Sequence, residues 1–265
     1  MNMKTQPLDN IGVIIQAQDQ QISDIHQLPI QDLEEEILRS GLVLLRGFNP
    51  TNDKEMESFA QKLGPLLAWD FGYVLDLKIQ QDPANHIFSR GRVELHWDGA
   101  FANETPRYNF FQCLESSASS GGGETIFLNT TRLLDSLPQD TFEELQSKSV
   151  SYSTKKVAHY GGDIHVPLLS QHPATQQMRI QFVEPFNEDN QDVNPVQALV
   201  SGLEKSKSDE FLHQMIQLCY QSQYIYNHVW EKGDYLLVDN HTMLHGRRRF
   251  QSEGLSRHLK RVHIL

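Results

Sequence analysis

The sequence predicts a mainly β fold with flanking helices, and three observations carry that expectation. Several runs have strand length and are rich in aromatic and β-branched residues: Leu42-Val-Leu-Leu-Arg-Gly-Phe48, Tyr108-Asn-Phe-Phe-Gln-Cys-Leu114, Glu124-Thr-Ile-Phe-Leu128, Tyr224 to Trp230, Tyr235 to Val238 and Arg257 to Leu265. Gly-containing breaks separate them, which suits an antiparallel core. Only a few stretches carry apolar residues at helical spacing. At 265 residues the chain is long for one core yet within the range of a single decorated barrel or sandwich, so one domain spanning residues 1–265 is expected.

Residues 1–30 are polar and Gln/Asp-rich and read as an N-terminal extension with a first strand at Ile11-Gly-Val-Ile-Ile15. Ser23 or Asp24 is placed to cap the next element. Leu33, Ile37 and Leu38 recur at helical spacing and Gly41 stands where a helix-terminating glycine belongs, so Gln31 to Arg39 is a helix of about two to three turns. The apolar run from Leu42 is a buried strand closed by Asn49-Pro50. Asn52 or Asp53 caps a second helix through Leu63, with Met56, Phe59, Ala60 and Leu63 as its stripe and Gly64-Pro65 as its stop. Residues 71–92 alternate weakly around an Asp82-Pro-Ala-Asn85 turn signal. Ser116 to Gly123 is a flexible loop, and Thr131 to Leu145 is helical with Pro138 dividing it. Tyr152 to Val166 has no clear pattern and contains the loop-like His159-Tyr-Gly-Gly-Asp-Ile-His165. Met178 to Val183 alternates as a strand, and the acidic, Asn-rich Asn187 to Pro195 reads as a mobile flap beside a site. Asp209 to Ser222 is the clearest amphipathic helix, and Gly233-Asp234 turns between the Tyr224 and Tyr235 strands.

Composition narrows the function classes. Lys and Arg number 23 against 34 Asp and Glu, a net charge of −11, which argues against a nucleic-acid partner. Arg247-Arg-Arg249, the nearest thing to a basic patch, reads as a solvated turn. No stretch approaches the roughly 20 apolar residues of a membrane span, and the start lacks the apolar run of a secretory signal. Two widely separated cysteines, Cys113 and Cys219, fit a reducing, cytoplasmic setting better than a disulfide framework. A homo-oligomer is compatible with all of this.

The chemistry concentrates in Glu94-Leu-His-Trp-Asp-Gly-Ala-Phe101, in Asp239-Asn-His-Thr-Met-Leu-His-Gly-Arg247, and in the tail Ser256-Arg-His-Leu-Lys-Arg-Val-His263. On an extended strand His96 and Asp98 project from one face, where an imidazole nitrogen and a carboxylate oxygen can grip one metal ion. A chance His-x-Asp is expected about once in such a chain, so its strand-like approach and Gly-Ala-Phe exit carry the weight. For a third ligand His245 and His241 compete. His241 comes right after the Asp239-Asn240 turn, whereas the glycine beside His245 lets the backbone approach a metal. Two histidines and one carboxylate make the facial triad of a non-haem Fe(II) oxygenase, with positions left open for a keto acid and O2. Along the last strand Arg257, Leu259 and Arg261 share a face, and two guanidinium groups turned to one interior need anionic partners. A dicarboxylic co-substrate and an acidic substrate would supply them. His159, His165, His228 and His263 read as ordinary polar or core residues. The sequence contains no His-Glu-x-x-His zinc helix, no Gly-x-Ser-x-Gly elbow and no Gly-x-x-x-x-Gly-Lys phosphate loop.

From about Gly41 to the C-terminus these residues resemble the taurine/2-oxoglutarate dioxygenase family. Leu42 to Phe48 is similar to its early strand, His96-Trp-Asp98 to its proximal metal motif, Gly122-Gly-Glu-Thr125 to its Gly-Gly-Asp/Glu-Thr segment, and Asn240 to Gly246 to its distal-histidine segment. The resemblance implies a double-stranded β-helix (jelly-roll) core, Fe(II) held by His96, Asp98 and His245, and 2-oxoglutarate and O2 as co-substrates. It assigns Thr125 and Arg257 to 2-oxoglutarate and places Arg261 where the taurine enzyme grips its sulfonate. Within the family, His-Trp-Asp-Gly-Ala-Phe, Phe-Phe-Gln-Cys-Leu-Glu and the Arg-His-Leu-Lys-Arg-Val-His-Ile ending look closest to the isonitrile-processing dioxygenases of pyoverdine-chromophore, paerucumarin and rhabduscin-type biosynthesis. Those enzymes desaturate the side chain of an isonitrile made from tyrosine, or from tryptophan in some relatives.

The resemblance therefore implies an enzyme acting on a small-molecule isonitrile carboxylate, with tyrosine isonitrile acid the first candidate. Arg261 would hold the substrate carboxylate, and Phe101 and Tyr160 would line an aromatic pocket. Two other readings stand beside it: hydroxylation of a small sulfonate or carboxylate, and a non-catalytic metal-binding β-barrel.

Overall fold

The computed structural model describes residues 3–265 apart from 84, 118–120, 158–159, 192–193 and 253. A hairpin of β1 (Gln6–Leu8) and β2 (Gly12–Gln16) leads into a single helical turn, α1 (Ala17–Gln20). Asp24 caps a short 3-10 turn, and α2 (Ile30–Ser40) starts behind Pro29. Gly41 ends α2 at φ 80°, a conformation glycine adopts at no steric cost. After β3 (Leu42–Arg46), α3 (Asp53–Ala60) opens with a reciprocal capping box between Asn52 and Glu55. Next come β4 (Val74–Lys78), β5 (Val93–His96), β6 (Tyr108–Ser116) and β7 (Thr125–Asn129). Pro138 separates α4 (Thr130–Asp135) from α5 (Gln139–Gln146), as expected of a residue that cannot donate inside a helix.

The stretch read as patternless is a strand pair, β8 (Ser149–Val157) and β9 (Tyr160–Pro167). In β8 Val150, Tyr152 and Thr154 turn inward between serines, a period-two pattern too short to stand out, and Gly161 and Gly162 sit at φ 97° and 104°. The chain continues through β10 (Leu169–Gln171), β11 (Met178–Ile180), β12 (Gln197–Val200), α6 (Lys205–Gln221), β13 (Ile225–His228), β14 (Tyr235–Asp239), β15 (Met243–Arg247) and β16 (Arg257–Ile264). Within the segment read as a mobile flap, whose residues 192–193 lie outside the described residues, Asp189 accepts from the Arg92 backbone N–H at 2.7 Å and pairs with Arg249.

Two sheets position everything else. The larger runs β1-β2-β3-β14-β6-β16-β4 and the smaller β13-β7-β15-β5, with β12-β8-β9 and β10-β11 beside them. Strand periodicity divides the larger sheet between two jobs. Leu44, Phe111, Leu236, Val238 and Leu259 meet Phe127 and Met243 of the smaller sheet in a shared apolar layer. The alternate residues Val43, Leu45, Phe110, Leu237 and Val262 bury Leu33 and Ile37 of α2 and Met56 and Phe59 of α3. The outer face of the smaller sheet, Ile126, Leu128 and Leu244, packs with Leu133 of α4 and Leu212 and Met215 of α6. Residues of β5, β7, β15 and β16 that point inward are thus held between two covered sheets. Among the described residues no helix is long and apolar enough to cross a membrane.

Candidate active site

Pairing of β15 with β5 sets His245 directly opposite His96, with ring centroids 4.4 Å apart. Asp98, just past the end of β5, brings its carboxylate 3.4 Å from His245 Nε2 and 3.7 Å from His96 Nε2. One ligand atom from each residue lies within 4.8 Å of the others, a spacing that one metal ion can bridge. The protonation states of His245 and Asp98 fit a divalent cation as well, while at His96 burial is outweighed by Asp98, which raises the imidazole above its ordinary value. His96 Nδ1 lies 2.8 Å from the Glu94 carbonyl, so it carries the proton and leaves the Nε2 lone pair facing the cluster. Burial pushes His245 down to about 4, keeping it neutral. Burial alone would raise Asp98, but Arg261, His245 and His263 outweigh it and hold the carboxylate well below its usual range.

His241 does not reach this cluster. Its ring packs edge-on against His172 at 5.3 Å, and the turn containing it is held by Asp239, which accepts from the His241 N–H at 2.9 Å. Gly246 matters for a reason other than the expected one: a Cβ there would lie 2.6 Å from the Val93 carbonyl, so the glycine admits strand β5 and not a metal.

Asp98 has partners on its other side that sequence reasoning missed. Arg261 Nη1 donates to both carboxylate oxygens at 3.1 and 3.0 Å, and His263 Nε2 lies 3.1 Å from Oδ2. His263 continues the period of two that groups Arg257, Leu259 and Arg261, which is the signal that could have found it. Arg261 also lines a cavity of about 210 Å³ beside the triad, together with Trp69, Phe71, Phe88, Trp97 and His263. Trp69 and Phe71 lie nearly parallel with centroids 6.2 Å apart, and Trp69 packs on His263 at 5.6 Å. Phe101 is not part of this lining. The chain turns at Gly99, where the Ala102 N–H returns to the Gly99 carbonyl, and Phe101 is buried in the apolar cluster with Leu95 and Leu133. The side chain of Tyr160 lies outside the described residues.

Four residues before Arg261 on the same face, Arg257 Nη1 donates to the Gly123 carbonyl at 2.8 Å and to Thr125 Oγ1 at 2.9 Å. Trp230 Nε1 donates to the same Oγ1 at 2.8 Å. A hydroxyl oxygen that accepts twice has only its own hydrogen left to offer, so Thr125 is set as a donor. Among the described residues no carboxylate lies within ion-pair distance of Arg257, which is 9% exposed. Burial and the neighbouring Arg247 push Arg257 down to about 9. A buried cation next to a poised hydroxyl donor suits a carboxylate arriving with a ligand.

Arg247 itself is not in a solvated turn. It is buried on β15 and donates to the carbonyls of Ile87, Ser89 and Gly91 at 2.7, 2.7 and 2.6 Å, while Arg248 and Arg249 are exposed as expected. Gly123 is required where it stands, since at φ 84° a Cβ would lie 2.3 Å from the Phe250 ring.

The profile of the taurine catabolism dioxygenase TauD, TfdA family matches residues 4–263. The chain belongs to this family. It is an Fe(II)/2-oxoglutarate-dependent dioxygenase, a class with which a cluster of two histidines and one carboxylate agrees. The 3-((Z)-2-isocyanoethenyl)-1H-indole synthase of Fischerella ambigua is 41% identical over 258 residues, covering 97% of this chain and 94% of that protein. The tyrosine isonitrile desaturase of Pseudomonas aeruginosa is 33% identical over 242 residues, covering 91% of this chain and 82% of that one. A structure of PvcB, described as an Fe, alpha-ketoglutarate dependent oxygenase from an isonitrile synthetic pathway, aligns with a TM-score of 0.81. Its sequence identity is 27%, with 100% of this chain and 92% of PvcB covered.

Proposed function

We propose that this enzyme desaturates the side chain of an isonitrile carboxylate made from an aromatic amino acid. His96, Asp98 and His245 would hold Fe(II), and Thr125 and Arg257 the distal carboxylate of 2-oxoglutarate. The scaffold is a double-stranded β-helix core within one domain, a reading supported by the two facing sheets and their shared apolar layer. The observation that carries the proposal is the placement of the triad between a buried arginine that has no counter-ion among the described residues and an aromatic cavity lined by a second arginine. Free, buried Cys113 and Cys219 support a cytoplasmic enzyme.

When bound, iron, 2-oxoglutarate and O2 supply the oxidising equivalents, with succinate and CO2 as co-products. The chain's own residues bind and orient. Thr125 and Arg257 fix one end of the co-substrate by hydrogen bonds to ionised oxygen, which converts a diffusive encounter into an oriented one. Trp69, Phe71 and Phe88 offer flat apolar faces to an aryl ring, which on binding would displace water from the cavity they line. Arg261, whose side chain keeps 12% of its surface exposed, brings positive charge to the substrate carboxylate.

Both a tyrosine-derived and an indole-bearing isonitrile occur among the relatives' names, and the relative named for the indole product is the more similar of the two reported. The test is an aerobic reaction with Fe(II), 2-oxoglutarate and, side by side, the isonitrile acids of tyrosine and tryptophan, read by mass spectrometry with succinate quantified. A product lacking two hydrogens, with or without its carboxyl group, and matched by succinate is expected. A product that gains oxygen would replace desaturation by hydroxylation, and succinate with neither substrate altered would remove the isonitrile assignment.

A further inference from the structure

We propose that Asn240 is the residue that positions Asp98 for metal binding. It stands one residue past β14, on the link to the strand that carries His245. Its side-chain amide holds Asp98 by the backbone from both sides: Oδ1 accepts from the Asp98 N–H at 2.8 Å and Nδ2 donates to the Asp98 carbonyl at 2.9 Å. The other valences are filled too, since Nδ2 donates to the Pro106 carbonyl at 2.8 Å and Oδ1 accepts from Asn109 Nδ2 at 3.3 Å. An asparagine amide has two donor hydrogens and two acceptor lone pairs. Asn240, 1% exposed, uses all of them, and turning the amide over would set donor against donor and acceptor against acceptor.

Asp98 needs such a clamp because it lies beyond the end of β5, where ladder hydrogen bonds no longer fix the chain. Gly99 comes next at φ 83°, and a Cβ there would lie 2.8 Å from Pro106 Cδ, so the loop folds back closely enough to bring the Pro106 carbonyl to Asn240. The aspartate side chain is short, so rotating its peptide planes swings the carboxylate away from the two histidines. Arg261 and His263 also pull on that carboxylate from 3.0 to 3.1 Å. A saturated, buried amide fixing both peptide planes sets where the carboxylate stands in that contest. Asn240 touches neither substrate nor metal in this arrangement and acts through Asp98.

The inference rests on the reading of His96, Asp98 and His245 as ligands, and the experiment separates the two. Co(II), whose ligand-field absorption reports coordination, is titrated into metal-free wild type, Asp98→Ala, Asn240→Ala, Asn240→Asp and Val238→Ala, with folding followed by circular dichroism. Val238→Ala removes packing on β14 without removing a hydrogen bond. Wild type is expected to bind one Co(II), and Asp98→Ala to lose the bands. Asn240→Ala should weaken binding by about 10- to 100-fold with altered bands, the usual scale for losing a partner that orients a ligand. Asn240→Asp keeps an acceptor for the Asp98 N–H and should fall between. Val238→Ala should melt earlier yet bind Co(II) as wild type does. Folded Asn240 variants with wild-type affinity and spectrum would overturn the proposal, as would equal weakening by Val238→Ala. If Asn240→Ala does not fold, Asn240→Asp decides on the same criteria. No Co(II) binding by wild type, or retained bands in Asp98→Ala, would overturn the ligand reading and this inference together.

Discussion

Arg261 and Arg257 leave the same face of β16, both enclosed between the two sheets, and they are answered in opposite ways. At the Arg261 end the protein supplies the counter-charge itself: Asp98 takes a bond to each oxygen from Arg261 Nη1 and a further contact from His263. At the Arg257 end the described residues supply a carbonyl and a hydroxyl but no carboxylate, and the guanidinium is held below its ordinary value by burial and by Arg247. Desolvating a cation without an anion is costly. Among the described residues one arginine is left in that state while the other shares Asp98 with the triad and keeps a face toward the cavity, so the two ends suit different anions: a dicarboxylate at Arg257 and a substrate carboxylate at Arg261.

The comparison breaks most sharply at Asp98. Asp98→Asn should abolish turnover, since it removes the one anionic ligand. It should also cost the metal-free protein about 3–5 kcal/mol in denaturant unfolding, because Arg261 is left without its counter-charge. Metal-free stability equal to wild type would mean that the Arg261 end does not depend on Asp98 and that the contrast is false. Arg257→Met should raise the 2-oxoglutarate concentration needed for half-maximal succinate release by about 100-fold or more, the scale of two charge-assisted hydrogen bonds. In the ligand-free protein the same change removes an uncompensated buried charge, so it should lose far less stability than Asp98→Asn. A loss as large would reveal an anion already paired with Arg257.

Both ends of this contrast were partly legible in the sequence. An even spacing on an extended chain is a local property, so His96 with Asp98, two apart, and Arg257 with Arg261, four apart, could be read without knowing the fold. The choice between His241 and His245 could not, because it depends on which residue of β15 lands opposite His96, and register is set by pairing across the chain. The helices were legible because Asn52, Pro138 and Gly41 act on their own turns, whereas β8 was missed because its inward face, Val150, Tyr152 and Thr154, offers only two apolar residues among serines, and β9 because Gly161-Gly162 reads as a loop. Phe101 was misplaced for a similar reason: its proximity to Asp98 in sequence says nothing of the turn at Gly99 that carries it into the apolar cluster. Asn240 and Trp230 gave no local signal of their own, since each acts through a contact with a segment more than a hundred residues away, whereas His263 was marked by the period of two it shares with Arg261.

Trp230 offers the smallest and most discriminating change at the Arg257 end. Trp230→Phe keeps an aromatic ring against Phe111 and His228 and deletes the Nε1–H that reaches Thr125 Oγ1. One neutral hydrogen bond is worth about 1 kcal/mol, so 2-oxoglutarate affinity should fall by about fivefold. Co(II) binding should not change, because no ligand of the triad loses a partner. The hydroxyl would still accept from Arg257 but would be free to rotate, and the loss measures how much of the site's affinity comes from fixing the direction of a single O–H. An unchanged affinity would show that Arg257 alone orients Thr125. A loss matching that of Arg257→Met would show instead that the indole's packing, and not its hydrogen bond, shapes the pocket.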